Sequence, residues 1–180
     1  NGSNDLPFSI CFWIYPISNT AQMIVSKRDG AVASNTEYTI VYTTTNNIEF
    51  NLTKTNDTTT RLRITTTGPA VPLNTWTHVV CSYTGGQTFG GMSIYVNGVL
   101  NATANGSAGT YVGMQNSTAG VYIGSQKNAG AATLEFLGSL DSIGIRGSET
   151  TVAEALELYN NGKGYNVFGG ETGSGMMMFF

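Results

Sequence analysis

The sequence predicts an all-β fold, a two-sheet antiparallel β-sandwich with one short C-terminal helix, and three observations predict it. Short segments alternate apolar and polar residues with a period of two, the pattern of strands that bury one face and wet the other. Clusters of Gly, Asn, Asp and Pro separate these segments at short spacing, as antiparallel strands joined by turns require. Two short apolar runs, 92–96 and 99–100, flank Asn97-Gly98. An Asn-Gly pair suits a type I′ hairpin because both central residues need positive φ.

With 180 residues the chain fits one domain and can bury a substantial core. Only 11% of residues are charged, against about 25% in an average soluble domain. Thr, Asn and Gly fill the difference, so solubility rests on hydroxyls and amides. The net charge of -3 leaves no basic footprint for nucleic acid. Apolar runs fall far short of the roughly 20 residues a membrane-spanning helix needs, so no membrane insertion is expected. With neither an initiating Met nor a signal peptide, the chain is expected to begin inside a longer protein or after processing. Cys11 and Cys81 each sit in a strand-like apolar run and read as two buried free thiols, with a bridge between neighbouring strands the alternative.

The elements follow in order. Phe8 to Tyr15 carries large groups on both faces and reads as a central strand covered on both sides, ended by Pro16. Gln22 to Lys27 is the next strand, turning at Arg28-Asp29-Gly30. Tyr38 to Thr44 alternates and turns at Asn46-Asn47 into Ile48–Thr53, whose Ile48, Phe50 and Leu52 share a face. Arg61 to Thr66 follows a turn at Asn56-Asp57. A Pro- and Gly-containing loop leads to the strand from Trp76 to Tyr83, with Val79, Cys81 and Tyr83 on one face and the lone histidine, His78, on the other. Residues 101–120 are rich in Gly, Ser, Asn and Thr and show no clear period. Val121 to Ser125 is a strand, Asn128-Ala129-Gly130 a turn, and Gly138 to Arg146 the last strong strand, on which Asp141 is expected to share a buried face with Ile143 and Ile145. One helix follows, capped by Thr150 or Thr151 with Glu154 in its first turn, lined by Val152, Ala155, Leu156 and Tyr159, and stopped at Asn161-Gly162. Residues 1–165 form the sandwich domain. Residues 166–180 form a flexible Gly-rich tail ending in five apolar residues.

Three blocks of this chain together resemble the concanavalin A-like lectin/glucanase superfamily, in its laminin-G-like and pentraxin-like branch. Phe8-Ser9-Ile10-Cys11-Phe12-Trp13-Ile14 is similar to the family's first core strand. Trp76-Thr77-His78-Val79-Val80-Cys81-Ser82-Tyr83 with Ile94-Tyr95-Val96-Asn97-Gly98-Val99 is similar to its Trp-His-Val strand and following hairpin. Gly138 to Ile145 with the helix at 154–162 is similar to its closing strand and helix. The resemblance implies two curved sheets in a jelly-roll arrangement and says less about activity, because one fold hosts many functions.

Hydrolases of that superfamily are expected to carry acids on one strand as Glu-x-Asp-x-(x)-Glu, and no such run exists here. The eleven acids are scattered along the chain, so no pair is set for glycoside hydrolysis. A single histidine, with Cys81 three residues on but on the opposite strand face, does not make a zinc site. His78 is therefore expected to be structural. No cofactor is expected. Calcium is the one ion left open, with Asp29 its candidate ligand, because it follows a strand and loop tips in this family hold ions. Tyr111, Asn116 and Gln126 lie in or beside Gly-rich loops and are the candidate glycan contacts. Met176, Met177, Met178, Phe179 and Phe180 are the candidate partner-docking residues. Asn51, Asn56, Asn101, Asn105 and Asn116 open Asn-x-Ser/Thr patterns, meaningful only after passage through a eukaryotic secretory route.

These residues point to a non-catalytic binding or structural domain. The expected role is a virion or surface-appendage component, such as a phage decoration, tail or fibre protein, which contacts other structural proteins at a virion or extracellular surface. The alternative is a glycan-binding module of a secreted multidomain protein.

Overall fold

The computed structural model describes residues 5–31, 35–54, 60–101, 103–106, 110–163 and 178–179. Among them two six-stranded sheets stack face to face, as the alternation predicts. The first sheet has the order β14 (Met178–Phe179), β13 (Gly138–Arg146), β1 (Phe8–Pro16), β6 (Thr77–Tyr83), β7 (Met92–Val96) and β8 (Val99–Leu100). The second has the order β10 (Val121–Ile123), β2 (Gln22–Arg28), β3 (Thr36–Tyr42), β4 (Ile48–Thr53), β5 (Arg61–Thr66) and β9 (Thr103–Asn105). β11 (Gln126–Asn128) and β12 (Ala131–Thr133) make a separate hairpin. Pairing within each sheet is antiparallel.

The core lies where the inward faces of the two sheets meet. Ile10, Phe12 and Ile14 of β1 and Val79, Cys81 and Tyr83 of β6 face Ile40 and Tyr42 of β3 and Ile48, Phe50 and Leu52 of β4. Full burial of one such side chain stabilises the fold by roughly 1.5–3 kcal/mol. Phe8 bridges the layers, its ring centroid 5.3 Å from Tyr38 and 6.0 Å from both Phe50 and Tyr83. Cys11 and Cys81 are free and buried on opposite faces of the first sheet, Cys81 in the main core and Cys11 beneath the helix.

The helix α1 (Val152–Tyr159) covers the outer face of the first sheet, which is why β1 carries large groups on both faces. Thr151 caps it: its hydroxyl accepts from the Glu154 amide while the Glu154 carboxylate accepts from the Thr151 amide. The expected lining is corrected in part. Ala155 is buried against Cys11, Val80 and Tyr95, and Leu158 packs beside it, but Val152 and Leu156 are exposed. The reason is the seating of the helix entrance. The Thr150 amide donates to Ser82 Oγ at 2.8 Å, the Thr150 hydroxyl to Ser9 Oγ at 2.7 Å, and Arg146 Nη1 to Glu154 Oε1 at 2.6 Å. These bonds turn the Ala155 stripe toward the sheet, where its small side chain permits close approach.

Asp141 is also corrected. Cys11 pairs with Gly144 and Trp13 with Asp141, so Phe12 is opposed by two residues of β13, and Ser142 takes φ 49. This bulge shifts the alternation by one. Leu140, Ile143 and Ile145 turn to the core while Asp141 is exposed.

His78 is structural. It is 3% exposed, its ring 5.2 Å from Trp13 and 6.2 Å from Tyr159. Burial lowers its pKa to about 4 and keeps it neutral.

Candidate ligand cleft

One stretch without regular structure, 110–120, positions the candidate site. Its backbone cannot pair in a sheet, so side chains of the sandwich satisfy it. The Asp5 carboxylate receives the Tyr111 hydroxyl at 2.6 Å, the Tyr83 hydroxyl at 3.1 Å and the Met114 amide at 2.8 Å. Gln87 Nε2 donates to the Val112 carbonyl at 3.1 Å. The Glu37 carboxylate accepts from the Ser117 amide at 2.6 Å and from Lys27 Nζ at 2.7 Å. Gly113, at φ +118, brings the loop so close to Asp5 that a Cβ there would lie 3.2 Å from Oδ1.

The loop thus held bounds a cleft of about 330 Å³, walled by the 5–8 segment, Glu37, Met114, Gln115, Asn116 and Gly147. Asn116 is exposed at its wall. Gln115 Oε1 is removed from solvent and has no hydrogen-bond partner. Burial, and after it the Asp5 bond, pushes the Tyr111 hydroxyl far above the usual tyrosine range, so it stays a donor. Both carboxylates are occupied as acceptors of structural hydrogen bonds.

The predicted site residues fall in different places. Asn116 lines the cleft. Tyr111 abuts it but is 8% exposed, its ring in the core and its hydroxyl on Asp5, which leaves no open aromatic face for a sugar. Gln126 lies in the β11–β12 hairpin, buried, with Nε2 donating to Thr133 Oγ1 at 3.2 Å, and is not among the residues that line the cleft. Asp29 is 3.5 Å from Lys127 Nζ through Oδ2 and accepts from the Ala31 amide at 3.2 Å through Oδ1. Among the described residues no three His, Cys, Asp or Glu side chains converge as a metal site. Of the tail, Met178 and Phe179 pair with Ile145 and Gly144 of β13, while Met176, Met177 and Phe180 lie outside the described residues.

Sequence reasoning did not single out Asp5, Glu37 or Gln115. Asp5 meets Tyr111 and Met114 across 106 and 109 positions, and no local pattern encodes such a contact.

A jelly-roll sandwich of two antiparallel sheets with one short helix is the fold of lectin-like domains. The match to the Laminin_G_3 family of the concanavalin A-like lectin/glucanases superfamily runs over residues 2–156, and the chain belongs to that family. No curated protein matches it by sequence. Among solved structures it is similar to a carbohydrate-binding module of the Ruminococcus gnavus IT-sialidase, CBM40, bound to α2,3-sialyllactose, with a TM-score of 0.67, 15% identity, and 86% of this chain and 83% of that chain covered. It is similar to the heptameric SAP-like pentraxin of Limulus polyphemus, with a TM-score of 0.61, 16% identity and coverage of 87% and 72%. A leech intramolecular trans-sialidase complexed with 2,7-anhydro-Neu5Ac matches with a TM-score of 0.65 and 16% identity over 84% of this chain and 23% of that one. At these identities the likeness shows the fold.

Proposed function

We propose that this domain binds glycans without transforming them, and that the cleft between the 5–8 segment and the 114–116 loop is where it does so. The observation that carries this reading is the clamped loop. Its backbone is ordered by Asp5 and Glu37 before any ligand arrives, while it offers an exposed amide at Asn116. Preorganised polar groups on a partly apolar wall are what sugar recognition needs. The module bound to sialyllactose on the same fold supports a binding role. The non-catalytic part rests on the carboxylates, each held by structural donors.

Titration of oligosaccharides into the purified domain tests this. Glycan binding weakened by Asn116→Ala at unchanged stability is the expected result. An absence of binding across neutral and acidic glycans, or release of reducing sugar, would overturn it.

A second reading, assembly into a virion or appendage through other structural proteins at an extracellular surface, has one observation in its favour. β14 covers two of the nine residues of β13, so the rest of that edge is free of β14 for strand addition. Light scattering of the domain with and without residues 166–180 tests it: equal, monomeric masses at high concentration count against assembly through that edge.

A further inference from the structure

We infer that the cleft selects a neutral glycan presenting hydroxyl donors and discriminates against sialylated or otherwise acidic sugars; this rests on the glycan-binding reading above. The groups that face the cleft set its preference. Asp5 and Glu37 contribute carboxylates, and among the described residues no Lys or Arg lines the cleft. Two cations adjoin lining groups: Lys27, which Glu37 holds at 2.7 Å, and Arg146, next in the chain to Gly147, which Glu154 holds at 2.6 Å. Arg28 belongs to β2 and Arg61 and Arg63 to β5; none lines the cleft.

Cationic donors hold a bound carboxylate most strongly, and a wall carrying carboxylates instead sets a ligand's charge against like charge. A hydroxyl, in contrast, carries no charge to desolvate and can donate to a carboxylate oxygen of the wall. The fold itself does not decide this. It is shared with a module bound to α2,3-sialyllactose at 15% identity, so the preference follows from these side chains alone.

The test is an array of paired oligosaccharides, each neutral glycan beside its sialylated form (lactose beside 3′-sialyllactose, for instance), followed by calorimetry on the best pair. The wild-type domain is expected to bind the neutral member at least about tenfold more tightly. Asn116→Lys places a cation on the wall at an exposed position and is expected to narrow that gap, with the unfolding midpoint unchanged. Equal or tighter binding of the sialylated members overturns the inference and leaves glycan binding standing. Failure to bind either member of every pair overturns both.

Discussion

The Tyr111 hydroxyl donates to the Asp5 carboxylate at 2.6 Å, joining the irregular 110–120 loop to the segment that enters the first strand. Asp5 also receives Tyr83 and the Met114 amide, so one carboxylate ties together the N-terminal entry, the core strand β6 and the wall of the cleft. Hydrogen bonds to a charged group contribute about 1.5–3 kcal/mol each. Tyr111→Phe is therefore expected to destabilise the domain by about 2 kcal/mol in urea unfolding, and Asp5→Ala by more, because three donors lose their acceptor. A Tyr111→Phe midpoint equal to wild type would show that the clamp contributes nothing.

The pH dependence of stability has a defined sign at His78. Its folded pKa is lowered from 6.5 to about 4 by burial. Between these values the unfolded chain takes up a proton that the native ring refuses, so stability falls as pH drops through this window and is unaffected by this group above it. The full loss is on the order of 3 kcal/mol. His78→Phe, which keeps an aromatic ring beside Trp13, is expected to flatten the slope of the denaturation midpoint between pH 6.5 and 4. An unchanged slope in the variant would assign the acid sensitivity to other groups.

The hairpin signal and the helix meet at Gly98. The residue sits at φ +78, and a Cβ there would lie 3.0 Å from Leu156 Cα. Gly98→Ala thus strains a left-handed backbone and pushes the helix from the sheet, at an expected cost of about 1–3 kcal/mol. Thr151→Ala, which removes the helix cap, should cost about 1 kcal/mol. Thermal melts of both variants check the order; a Gly98→Ala melt at or above the Thr151→Ala value would contradict the close packing.

Both thiols are shielded. Burial pushes Cys81 and Cys11 upward from the ordinary thiol range, so neither presents a thiolate near neutral pH. Ellman's reagent is expected to label two thiols per chain in denaturant and essentially none in the native protein within minutes. Rapid native labelling would mean that one of the two strands opens locally.

Much of the sandwich was legible because burial in a strand repeats every second residue. Ile48–Thr53 and Arg61–Thr66 appear as read from their alternation, and Asn97-Gly98 turns the chain with φ 50 and 78. The pattern fails at two places: the β13 bulge sends Asp141 outward, and of the expected helix lining Ala155 packs on the sheet while Val152 and Leu156 are exposed. The cleft was less legible. Asn116, a candidate because exposed amides in Gly-rich loops are visible as composition, lies on the cleft wall. Tyr111 was assigned to sugar contact from the same signal, yet its ring is buried, and a tyrosine in such a loop reads alike in either place.

The order of strands along the chain, the division into two amphipathic layers and the scarcity of acid–base chemistry follow from local periodicity and composition, which the sequence carries residue by residue. Which polar groups meet was decided only by tertiary structure. Asp5 finds Tyr111, and Glu37 finds Ser117, because the folded sandwich brings distant segments together. Their pairing depends on where the backbone leaves donors unsatisfied, a property of the closed sandwich that no repeating pattern in the chain records.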